Sequence, residues 1–256
     1  MHRLRLAALA ALAVLTIAAP VQAITFGQLD GDLHPNVGSM VVITPDGNES
    51  FCTGTLVSPT VFVTASHCTI ALEQAGIPAH DIWVTFSPAV DEASVLLRGT
   101  YHTNPLYGHD QSDPHDVAVV VLDVPVVGIA PAHLPTAGLL DELSLRDQRF
   151  VTVGYGTVRD DKTKGFATFV WDPQRRWVDQ GFRSLTKAWL NLSMNPSTGS
   201  GGTCYGDSGG PHFLGSTDVV VAITVTGDAP CRATDVDYRL DTAPARDFLG
   251  EFVDLP

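Results

Sequence analysis

The stretch 204-CYGDSGGPHFLG-215 sets one serine, Ser208, between an aspartate and two glycines, with further glycines at 206 and 215. A serine hydroxyl is a weak nucleophile until a neighbouring base takes its proton, and acyl transfer then puts negative charge on the former carbonyl oxygen. Glycines let the backbone turn sharply and aim N–H groups at that oxygen with no side chain in the way. The stretch therefore asks whether the rest of the chain holds a base.

Two segments supply candidates. In "VTASHCTI", 63–70, His67 stands directly before Cys68 at the end of a strand-like run. In "PHDVAVVVLD", 114–123, Asp116 opens a strongly apolar strand, where a carboxylate is out of place unless something polar faces it. Either residue alone reads more readily as structural. Around them lie short Val/Ile/Thr/Phe-rich runs broken by Gly, Pro, Asn and Asp: "VGSMVVITPDG", "FCTGTLVSPTVFVTAS", "DIWVTF", "FVTVGYGTV", "AWLNLSM" and "VVVAITVTG". Such runs predict an all-β sandwich or barrel with tight turns at 44–48 and 58–60. The end of the chain is different. "TAPARDFLGEFV" puts Ala245, Phe248, Leu249 and Phe252 on one helical face, with Thr242 as N-cap. The segment from about 157 to 187 mixes charges and aromatics without alternation and reads as surface loops. The prolines, glycine and acids of Pro131–Asp141 read as a linker.

His67, Asp116 and Ser208, in that order along a β-rich chain, resemble the trypsin-like (chymotrypsin-fold) serine proteases, in a secreted bacterial-type member. "TASHC" is similar to that family's TAAHC, "HDVAVVVL" to its DIALL strand, "VGYGTV" to its GWG strand, and "DYRLDTAPARDFL" to its closing strand and helix; "GDSGGP" matches its serine motif letter for letter. The resemblance spans most of the chain after residue 23. It implies two antiparallel six-stranded β-barrels, about 24–130 and about 131–256, with a cleft between them and a short C-terminal helix. Ser208 would attack the scissile carbonyl, His67 would take and return the proton, and Asp116 would hold the imidazole. The N–H groups of Gly206 and Ser208 would form the oxyanion hole, and the cysteines would pair as Cys52–Cys68 and Cys204–Cys231. Asp207 would pair with a new α-ammonium on Ile24.

Composition bounds this reading. Arg3, Arg5, the apolar run Leu6–Ala19 and the small-residue end Val21-Gln22-Ala23 read as a secretory leader over residues 1–23. The run is shorter than the roughly 20 residues of a membrane span, so no stable membrane anchoring is expected. Without the leader, 13 basic face 28 acidic side chains, a formal −15. Phosphate contacts need clustered Lys and Arg, so nucleic acid is excluded as a partner. Four cysteines behind a leader, with no CxxC pair, point to two disulfides in an extracellular setting and not to a metal site. His102, His109 and His115, with Asp110 and Asp113, are too irregularly spaced for a metal site and read as solvated surface. No cofactor is expected, and the partners are polypeptide substrates and protein inhibitors of a monomer.

Cleavage after Ala23 would expose Ile24, so leader removal itself would create the activating terminus. Gly202, six residues before the serine, stands where trypsins carry an aspartate, which predicts apolar P1 residues, not a tryptic preference. Thr224, Val225 and Thr226 are expected on the pocket wall and against the substrate backbone. Asp228, Asp235 and Asp237 lie close by in sequence, and one of them could restore a basic preference. The alternative function is a catalytically inactive binding protein on a protease fold. An esterase of the GxSxG type does not fit, because no strand–helix alternation surrounds the serine.

Overall fold

A computed structural model describes residues 23–110, 112–159 and 169–256. The leader assigned to 1–23 thus falls, but for Ala23, outside the described residues. A one-turn segment, α1 (Ala23–Phe26), and the short strand β1 (Gln28–Leu29) lead into β2 (Val37–Thr44), β3 (Gly47–Ser58) and β4 (Val61–Thr64). The helix α2 (Ser66–Gln74) is followed by β5 (Ile82–Thr85), β6 (Leu97–Thr103) and β7 (Ala118–Leu122). Strands β2 to β7 close a six-stranded barrel in the order β2-β3-β4-β7-β6-β5.

After α3 (Leu139–Glu142) come β8 (Arg149–Gly154), β9 (Val158–Arg159), β10 (Phe169–Val170), β11 (Arg176–Leu185) and β12 (Trp189–Ser193). The chain ends with β13 (Pro211–Leu214), β14 (Val220–Gly227), β15 (Thr234–Arg239) and α4 (Ala243–Leu249). Strands β8, β11, β12, β15, β14 and β13 pair in a ring, with β8 joined to both β11 and β13, so a second six-stranded barrel closes. All ladders in both barrels are antiparallel.

The turns follow their residues. Pro45-Asp46 links Thr44 to its partner Gly47, whose φ of 124° calls for glycine, and Pro59-Thr60 links Ser58 to Val61 under a hydrogen bond from Val61 N–H to Ser58 Oγ. Thr242 caps α4 by accepting from Ala245 N–H, and Ala245, Phe248 and Leu249 are buried. Phe252 packs near His102 of β6, with centroids 5.1 Å apart, so the tail of the second barrel lies on the first. Buried Val37, Phe62, Phe213 and Tyr238 belong to one continuous apolar cluster spanning both barrels.

The segment read as surface loops, 157–187, is a correction: it contains β11, a central strand of the second barrel. The apolar alternation fails there because two inward positions of β11 are Arg176 and Gln180, both buried and both engaged by carboxylates, Asp172 and Asp235. Inward polar groups with partners are stable but invisible to a hydrophobic pattern. A second correction concerns Asp113, which is buried, where it accepts from Tyr238 Oη–H at 2.8 Å.

Candidate active site

The chain leaves β4 extended at Ala65 and starts α2 at Ser66, which places His67 in the first helical turn. Ser66 Oγ donates to the Val117 carbonyl at 2.8 Å and accepts from Asn104 N–H, tying this turn to the start of β7. Asp116 stands two residues before that strand. It is buried, and both its oxygens are spent on His67: Oδ1 accepts the backbone N–H and Oδ2 faces Nδ1, each at 2.9 Å. A carboxylate only accepts, so Nδ1 carries the hydrogen and Nε2 keeps its lone pair. The His67 side chain is 30% exposed, so this lone pair belongs to a group open to the cleft.

Ser208 is positioned by the opposite barrel. Its carbonyl accepts Thr53 N–H at 2.9 Å and lies 3.9 Å from Cys68 Sγ, the residue after His67. Thr53 Oγ1 donates to the Gly206 carbonyl at 2.9 Å and accepts from Tyr155 N–H. The next residue, Gly209, donates to the Thr224 carbonyl. Among the described residues, the N–H groups of Gly206 and Ser208 have no backbone acceptor, as donors awaiting an oxyanion require. Gly206 holds φ at 98°, and a Cβ there would come within 2.9 Å of the Trp171 ring, so only glycine fits.

Asp207 is fully buried and points away from the cleft. Its Oδ1 accepts from Gly156 N–H and its Oδ2 from Cys204 N–H, both at 2.8 Å. Burial pushes its carboxyl up to about 7, against the pull of these two donors. Ile24 is fully buried, and α1 packs on β9 and β11. In the intact chain its nitrogen is an amide, and it is not among the hydrogen-bond partners of Asp207 in the described residues.

Beside Ser208 a cavity of about 320 Å³ is lined by Met194, Thr203, Tyr205, Thr224, Val225, Thr226, Gly227 and Ala229 among others. Three of the wall residues expected from sequence, Thr224, Val225 and Thr226, meet here. Gly202 lies behind the lining: a Cβ on it would come within 2.0 Å of the Met194 side chain, so the thioether occupies the place of any side chain at 202. Met194, Thr203 and Tyr205 are additions that sequence reasoning missed. Asp228 spends its carboxylate on Arg232, Ala233 and Thr234 N–H in its own loop. Asp235 and Asp237 are fully buried behind the cavity.

Disulfides close Cys52 to Cys68 and Cys204 to Cys231. The first ties α2 to β3, and the second ties the serine loop to the cavity rim. A serine-bearing loop, an imidazole held by a carboxylate, two N–H groups without a backbone acceptor among the described residues and an adjacent cavity together can perform acyl transfer.

The comparisons agree with this architecture. The Trypsin family description matches residues 32–244. A trypsin of Saccharopolyspora erythraea is 27% identical over 212 residues, covering 80% of this chain and 88% of that protein. A solved structure titled HL collagenase superposes with a TM-score of 0.61 at 16% identity, covering 86% of this chain and 94% of that one, which shows the fold. The chain therefore belongs to the trypsin family and is a serine endopeptidase of the two-barrel, all-β fold.

Proposed function

We propose that the protein is a secreted endopeptidase in which Ser208 forms the acyl-enzyme, His67 acts as general base and then acid, and Asp116 fixes the imidazole tautomer. The observation that carries this reading is the two-point grip of Asp116 on His67, which leaves Nε2 free of that carboxylate, while the next residue, Cys68, lies 3.9 Å from the Ser208 carbonyl. Gly206 and Ser208 N–H groups stabilise the tetrahedral oxyanion; one such donor is worth roughly 10²–10³ in rate. The P1 preference is not of the tryptic kind, because Gly202 and Met194 leave an apolar end where a carboxylate would stand. Thr224, Val225 and Thr226 contact the substrate. The alternative of an inactive binding protein has no observation in its favour.

Activation is leader removal before Ile24. The new α-ammonium would neutralise Asp207, which in the intact chain has only amide donors. Ile24 sits at φ 45°, a region that β-branched residues avoid, and cutting the preceding peptide bond removes that constraint. The test is the intact mass of the secreted protein before and after a fluorophosphonate probe, with S208A as control. The expected result is a single adduct on the wild type only, on a chain beginning at Ile24. A folded chain with that start and no adduct moves the reading to the binding protein; an adduct on a chain with a different start refutes the activation step alone.

A further inference from the structure

The loop 228–231 walls two cavities. Asp228, Ala229 and Cys231 line the one beside Ser208, while Asp228 and Pro230 line another, of about 580 Å³, together with three arginines. Arg159 comes from β9, Arg183 from β11 and Arg232 from the loop before β15. This convergence runs against the chain as a whole, whose formal charge is −13. Residues 160–168, beyond Arg159, lie outside the described residues, and their two aspartates and two lysines sum to no charge.

The polar groups around this second cavity are left as donors. Among the described residues its one carboxylate is Asp228, already spent on its own loop: Oδ2 accepts Arg232 N–H, and Oδ1 accepts Ala233 and Thr234 N–H. Ser193 Oγ accepts from Asn195 N–H, and Asn195 Oδ1 accepts from Ser197 N–H. The hydroxyl hydrogen of Ser193 and the amide NH2 of Asn195 remain unspent. Arg159 is buried and gives Nη1 to the Pro230 carbonyl at 2.9 Å, and Arg183 gives Nη1 to the Thr234 hydroxyl. Both of those acceptors are neutral. Among the described residues, arginine ion pairs form at Arg98, Arg175, Arg176 and Arg239, and neither Arg183 nor Arg232 has one.

Like charges brought together repel, and a guanidinium without a carboxylate keeps its fork of N–H donors for a ligand. We infer that this cavity is an oxyanion-binding site: Arg183 and Arg232 clasp a sulfate, a phosphate or the carboxylates of an acidic peptide, and Ser193 and Asn195 supply further donors. Charge-assisted N–H···O bonds of this kind are roughly twice as strong as neutral ones. Buried Arg159 braces the rim by holding Pro230. The site shares Asp228 with the cavity beside Ser208, but His67, Asp116 and Ser208 are not among its walls, so it stands or falls independently of the endopeptidase reading.

The test is calorimetric titration of sulfate into secreted S208A protein, where no self-cleavage interferes, with ionic strength held constant by chloride. The expected result is saturable one-to-one binding that weakens at least roughly tenfold when R183Q and R232Q are combined. R98Q, which neutralises an arginine of the first barrel, is expected to bind as the parent does. Arg183 is exposed and Arg232 half-buried, so the double variant should keep its sulfate-free Tm; if it does not, R232Q alone is read, with the same direction of loss. A triglutamate peptide in place of sulfate tells the two sources apart: binding of sulfate alone assigns a free oxyanion, and binding of the peptide assigns polypeptide carboxylates. No saturable heat from either ligand, the same heat from chloride alone, or an equal loss in R98Q overturns the inference.

Discussion

Thr53 belongs to none of the motifs that mark the site, yet it makes three of the hydrogen bonds that place Ser208 and its loop. Its N–H holds the Ser208 carbonyl, and its hydroxyl joins the Gly206 carbonyl to Tyr155 N–H. Thr53→Val keeps the shape and removes the hydroxyl, leaving the buried Tyr155 N–H and the half-buried Gly206 carbonyl unpaired, at about 1–3 kcal/mol for the buried group. The expected outcome is a fall of roughly tenfold or more in kcat/KM, carried mainly by kcat, in steady-state assays. A second residue-level expectation concerns Asp237, whose carboxyl burial holds well above the usual range. A carboxyl whose folded pKa is raised favours folding at low pH and loses that contribution as pH climbs from the unfolded value through the folded one. D237N should therefore raise Tm at pH 8 relative to wild type, and the gain should shrink toward pH 4. Thermal melts across that range check it. His67, Asp116 and Ser208 were nominated from the sequence because each sits in a short local motif. Thr53, Met194 and Thr203 were not, because their roles arise only when distant strands meet.

Among the elements, β11 shows where pattern reading stops. Two of its three inward side chains, Arg176 and Gln180, are polar, and the residue before it, Arg175, is 1% exposed. Arg175 reaches Asp30 Oδ2 at 2.8 Å, the carbonyls of Gly31, Val37 and Phe86, and Tyr155 Oη. The guanidinium thus knots the N-terminal segment, the first barrel and the second at one point. Strands β2, β4, β5, β7, β8, β12 and β14 were legible because their inward faces are apolar; β11 was not, because its neighbours supply hydrogen bonds in place of apolar contacts. R175M would leave the buried Asp30 with His34 alone as a charged partner and the carbonyls of Gly31, Val37 and Phe86 without this donor, and is expected to cost about 3–5 kcal/mol in urea unfolding. D30N combined with R175M should recover part of that loss. The helix α2 was also missed: nine residues follow directly on a strand, and the disulfide to β3 anchors its first turn.

At the scale of the molecule, the two barrels are bound more tightly than a linker between Leu122 and Arg149 would require. The N-terminal β1 adds to β11 of the second barrel before the chain builds the first. Phe252, just past α4, returns from the second barrel to the first, and one apolar cluster runs through both. The two halves should therefore unfold in one transition, with calorimetric and van't Hoff enthalpies equal in the scanning calorimeter. Separate transitions would show that the shared core contributes little.

The hydrogen bonds from Thr53 to the serine loop make Ser208 a gauge of how the barrels are aligned. His67 rides on one barrel and Ser208 on the other, and the bonds joining the barrels lie at the Ser208 loop itself. A slip of the barrels by a fraction of an ångström would detune the serine before it exposed any core. Pressure, mild denaturant or a wedge-like ligand at the seam would thus silence the enzyme while its spectrum still read as folded, and release would restore it without refolding.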